Sequence, residues 1–323
     1  MKRVASLARL GLSAVPSPVP RRLSRLAGQH ALVDGIPFVM PVDSGEMPAL
    51  MAGFTIDRTA AARMLPGSEL HPVTLPGGKG LLVITVVNYL HTDIGRYIEY
   101  SIAIACTHGS RPAPPLLPGL LRGTFGTGQY VVDLPVSSEL SVKGGKGIWG
   151  MPKHRASLDF KVSDSAVSSQ YEDDGRLGMY IEIERPPATR LPLRASAVNY
   201  CAFRGMLMKS SVFFEGRADV AFGRRARARL VVGDAPRVAG LHDLRIAADP
   251  LFTAYLTADR GVLDDHFECW FLAGDEPGRT YGEPLDSVVG LGTSQTWPEP
   301  PVIDVGRPHL GGSERTESTH DHH

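Results

Sequence analysis

The 323 residues allow one large domain or two small ones, and 43% hydrophobic against 21% charged residues place the chain in the globular range. Thirty-four basic residues balance 34 acidic ones, so the whole-molecule field that gathers nucleic acid or an anionic membrane surface is missing. Cys106, Cys201 and Cys269 are too far apart for a disulfide framework or a zinc site and fit a reducing cytoplasm, and no window approaches the roughly 18 apolar residues of a membrane span.

In chain order, residues 1–30 read as a basic tail: Lys2, Arg3, Arg9, Arg21, Arg22 and Arg25 surround an apolar stretch that Pro16, Pro18 and Pro20 interrupt. Helix 57–65 follows, with Asp57 as its cap and Pro66-Gly67 as its stop. Residues 81–89 and 97–106 are β-branched runs of strand length. The Gly-rich stretches 123–128 and 144–147 have neither Walker nor dinucleotide spacing, so both read as turns. From 155 to 162 polar and apolar residues alternate strictly, as in a half-buried strand. Strands 168–172 and 179–184 flank Asp173-Asp174-Gly175-Arg176, whose Asp-Gly pair supplies a tight hairpin turn. Strand signals continue at 212–214, 218–222 and 227–232, and a second helix is predicted over 236–244. Residues 31–280 therefore form a single β-rich domain with few helices. Residues 281–323 are an extension, disordered from about 311, where His320, His322 and His323 are solvated tail residues.

No G-x-S-x-G elbow, H-E-x-x-H pair or paired C-x-x-C is present, and Cys106-Thr107-His108 lacks further ligands, so no metal site is expected. Lysine usage is more informative. Of the 34 basic residues only seven are lysines, and Lys153 stands in Gly147-Ile148-Trp149-Gly150-Met151-Pro152-Lys153-His154, among apolar and conformationally restricted neighbours. Desolvation there lowers a lysine's pKa, and a neutral amine is a nucleophile.

That segment, taken from Gly145, resembles the part of the acetoacetate decarboxylase family that ends in Pro-Lys-Lys, whose first lysine forms a Schiff base. Ile94-Gly95-Arg96-Tyr97-Ile98-Glu99-Tyr100 resembles the family's Gly-x-Tyr-x-Glu segment. Residues 54–66 and 230–251 agree in character, so the likeness covers roughly residues 35–272 in the right order. It implies an α+β, mainly antiparallel domain built on a conical, partly open barrel with a few flanking helices, a buried pocket, and a homo-oligomer. It also implies lyase chemistry on a β-keto acid without a cofactor. Lys153 would be the nucleophile, Glu99 a proton carrier or orienting group and His154 an assistant, with Tyr97, Trp149 and Met151 against the substrate.

The departures from the family pattern matter. His154 replaces the second lysine, Gly147 stands where a glutamate is usual, the family's N-terminal arginine falls near Thr55, and an acidic pocket position falls near Ile84. The pocket implied is roomier and more apolar, for acetoacetate or a bulkier analogue. The alternatives are aldolase or dehydratase chemistry on the same lysine, or a ligand-binding protein that has lost catalysis.

Overall fold

The computed structural model describes residues 29–264 and 268–272. The basic tail through residue 28, the C-terminal extension and its three histidines lie outside the described residues.

A hairpin of β1 (Gln29–Val33) and β2 (Ile36–Met40) comes first. It is followed by β3 (Val42–Gly45), β4 (Met47–Asp57), helix α1 (Arg58–Met64), β5 (Leu70–Pro72), β6 (Lys79–Tyr89), β7 (His91–Thr92) and β8 (Tyr97–His108). A short helix α2 (Leu117–Leu120) leads to β9 (Gly128–Val136), helix α3 (Glu139–Trp149) and β10 (Lys153–Arg155). The remaining strands are β11 (Ser157–Leu158), β12 (Lys161–Val162), β13 (Ala166–Asp173), β14 (Arg176–Glu184), β15 (Leu191–Phe203), β16 (Met206–Phe222), β17 (Ala228–Val232), β18 (Phe252–Leu263) and β19 (Glu268–Phe271).

Strands β16, β15, β9, β8, β6, β4 and β18 pair in that order, and β18 pairs back onto β16, so a ring of seven closes into a barrel. Every joint is antiparallel except β15 with β9. That parallel seam is held by two residue pairs, Asn199 with Gln129 and Tyr200 with Tyr130. The β-rich, mainly antiparallel barrel with few helices expected above is therefore present, as a closed ring where a partly open one was expected, because β18 pairs back onto β16, and the parallel seam is its shortest joint. A second sheet of β11, β13, β14 and β17, with β12 on β13, packs outside it.

The continuous apolar runs in β4, β6 and β8 follow from burial on both faces. Leu82, Ile84 and Val86 enter the main core, where they meet Tyr171, Ile181 and Ile183 of the outer sheet, while Thr85, Val87 and Tyr89 line the barrel interior. Period 2 sends alternate side chains to these two places.

Local chemistry explains where the predicted elements hold and where they change. Asp57 caps α1 by accepting from the Ala60 amide at 2.8 Å, and Asp174 and Gly175 turn the β13–β14 hairpin with positive φ. Residues 236–244 form a 3-10 helix, because its threefold repeat stacks the buried Val238, Leu241 and Leu244 on one face. The alternating stretch 155–162 is a correction. It breaks into pieces because Asp159 turns its carboxylate and carbonyl to Gln170 and Ser169, and Val162 ends exposed. Residues 144–147 are also corrected: they lie inside α3, not in a turn.

Candidate active site

Helix α3 is built for close approach. Ser138 caps it, its side chain accepting from the Ser141 amide. A Cβ on Gly147 would fall 2.6 Å from Val33, one on Gly144 2.6 Å from Phe38, and one on Gly145 2.4 Å from Cδ of Lys153. The first two contacts seat the β1–β2 hairpin on the helix, and the third gives the lysine stem a channel across it. Gly150 ends the helix at φ 64°, its amide bonding to Lys146, while the Met151 amide bonds back to Gly145. This cap reverses the chain in time for Lys153 to open β10 beside Leu134 of β9. Trp149 anchors the turn by donating its indole N–H to the Asp264 carbonyl at 3.0 Å.

The Lys153 side chain, 4% exposed, places Nζ 2.7 Å from Oε2 of Glu99 and 2.9 Å from Oγ of Ser141, to which it donates. Its ammonium lies 5.4 Å from the centre of the Tyr97 ring. Tyr97 stacks on Tyr89 with ring centres 4.5 Å apart, and the Glu99 charge acts on both phenols. Burial, then the Glu99 charge, holds both phenols well above their ordinary value of 10.0, so they remain neutral donors.

These groups stand at one end of a cavity of about 530 Å³ inside the barrel, which Tyr97, Trp149 and Met151 also line. Lys153, Glu99 and the three expected substrate-binding residues are thus brought together. His154 is not, which corrects its expected place beside the amine. Strand alternation sends its ring to the other side of the wall, where Nε2 meets Asp133 at 3.0 Å and Tyr171 donates to the same carboxylate at 2.9 Å. The pocket position expected near Ile84 belongs to Thr85, since Ile84 is in the outer core, and β4 presents Met51 to the cavity instead of Thr55.

Ser141 and Tyr89 were not anticipated. Ser138 followed by Glu139 is an N-terminal helix signal that would have placed Ser141 in the first turn. Tyr89 reaches the site through its pairing with Tyr97 across β6 and β8, which only register reveals. Among the described residues no group of three or more His, Cys, Asp or Glu side chains is placed to hold a metal, and no helix is long and apolar enough to cross a membrane.

Known proteins share this fold. A solved structure described as structural studies of acetoacetate decarboxylase is similar with a TM-score of 0.52 and 13% identity, covering 72% of this chain and 89% of its own. The acetoacetate decarboxylase of Legionella pneumophila subsp. pneumophila str. Philadelphia 1 gives 0.50 and 9% identity, covering 79% and 98%. At such identities the likeness concerns the fold. No curated protein matches the chain in sequence. The family model of acetoacetate decarboxylase matches residues 28–188, a span that contains Glu99, α3 and Lys153. The chain belongs to the acetoacetate decarboxylase family.

Proposed function

We propose that this chain is a lysine-based carbon–carbon lyase that decarboxylates a β-keto acid through an imine. The observation that carries the reading is the buried Lys153 amine at one end of a cavity, held by one carboxylate and one hydroxyl. Glu99 accepts a proton from the lysine, and the free amine adds to the keto carbon. Loss of water leaves a protonated imine. The bond to the carboxyl carbon then breaks, its electron pair moves toward the imine nitrogen, and carbon dioxide departs. The enamine takes a proton on carbon, and water releases the ketone and the lysine. Tyr89 and Tyr97 supply neutral donors to the oxygen and carboxylate groups that change charge along this path.

Borohydride reduction in the presence of acetoacetate or a bulkier β-keto acid, followed by peptide mass spectrometry, tests the reading. An adduct on Lys153, lost in Lys153→Ala, is the expected result. Turnover by Lys153→Ala at the wild-type rate would defeat it. Release of carbon dioxide with the ketone separates decarboxylation from aldol or dehydration chemistry, which retains the carboxylate.

A further inference from the structure

The interior of a small barrel is ordinarily filled by side chains. Here six inward positions, Ala49, Ala195, Ala197, Ala218, Ala254 and Ala258, carry only a methyl group, and together they leave most of the 530 Å³ open. Pockets of that size take ligands well beyond a four-carbon acid.

The cavity is also divided by chemistry. Lys153, Glu99, Ser141 and the two stacked tyrosines gather at one end. The other end carries Phe222 and Phe252, with ring centres 6.5 Å apart, and Phe222 is 68% exposed. Gly53 makes room for the Phe252 ring, because a Cβ there would fall 2.2 Å from it. Register gives the length of the apolar section: Glu99 is level with Val87, Ala49 and Leu256 in turn, and Phe252 lies four residues further along β18. At about 3.3 Å per residue this is about 13 Å. Arg122 is the one other charged residue on the cavity wall among the described residues, and it sits exposed at the β9–β15 side, donating to the Ser196 carbonyl at 3.1 Å. A charged or strongly polar substituent would lie unpaired against the alanine-lined walls, whereas an apolar one is stabilised there.

We infer that the substrate is a β-keto acid with an extended apolar acyl substituent, its tail lying along the alanine-lined interior toward Phe222 and Phe252. The position of the keto group rests on the lysine reading; the apolar tail rests on the cavity. Calorimetric titration of the full chain with freshly prepared acetoacetate, 3-oxohexanoate and 3-oxooctanoate tests it, in the wild type and in Lys153→Ala. Affinity is expected to rise up to about fourfold per added methylene in both proteins. In Ala218→Phe and Ala254→Leu, which fill the interior from different strands, the preference for 3-oxooctanoate over acetoacetate should fall by about tenfold or more. Equal affinity across the series in the wild type would overturn the inference, as would an undiminished preference in a folded filling variant. A gradient that persists without any borohydride adduct would remove the lysine reading and support the apolar-tail inference.

Discussion

Gly145 and Lys153 meet across the turn that ends α3, and the absence of one methyl group decides where the amine stands. In Gly145→Ala the new Cβ would fall 2.4 Å from Cδ and 2.9 Å from Cε of the lysine, both parts of a flexible chain. The stem moves and the helix does not. Alanine is the better helix former by about 1 kcal/mol, so the fold loses little and the amine's position bears the cost. Displacements of about 1 Å at a reacting group cost on the order of a hundredfold in rate. Borohydride trapping by Gly145→Ala should therefore slow by about that factor with a thermal midpoint near the wild type. Unchanged trapping would show that the channel across the helix does not position Lys153. The residues with a direct hand in this site are unequally legible. Lys153 and Glu99 stand in local motifs, while Ser141 and Tyr89 become neighbours only when α3 and β6 converge on β8.

At the level of elements, α3 shows why local propensity misleads. Three glycines in four residues argue for a turn, yet each is matched by a side chain that needs its surface, and packing outweighs the propensity cost. Strand β10 has a comparable double role. Lys153 faces the cavity, and His154 ties the other side of the wall to the outer sheet through Asp133 and Tyr171. Tyr171 is fully buried, and its ring fills the place a side chain on Gly178 would take. Tyr171→Phe keeps the ring and removes the donor to a buried carboxylate oxygen. It should lower stability by about 1–3 kcal/mol, read as a lower urea midpoint. An unaltered midpoint would mean that this hydrogen bond contributes nothing to holding the two sheets together.

Over the whole molecule, the barrel and the outer sheet bury five phenols, none of them more than 8% exposed. Tyr89, Tyr97, Tyr100, Tyr171 and Tyr200 are all raised above the ordinary 10.0, with burial the largest cause in each case. A raised folded value means that the neutral phenol is the form the fold favours. Its contribution is complete below the unfolded value near 10 and declines as pH rises toward the folded value. The thermal midpoint should therefore fall above pH 10, and phenolate absorbance from these five side chains should appear only with unfolding. Reversible ionisation of all five near pH 10 in a folded protein would contradict that burial.

By itself the sequence determined the class of the fold and the identity of its most distinctive amine. Period-2 runs, Asp-Gly punctuation and one lysine among restricted neighbours are local properties, and short-range sterics and burial alone give them meaning. The tertiary structure decided what stands beside that amine and what it faces. Glu99 and Lys153 come from different strands, and His154 is carried away from Lys153 by the same alternation that makes β10 a strand. The open interior is likewise a property of the closed ring, because an alanine leaves usable space only when strands from the opposite wall also present small side chains toward it.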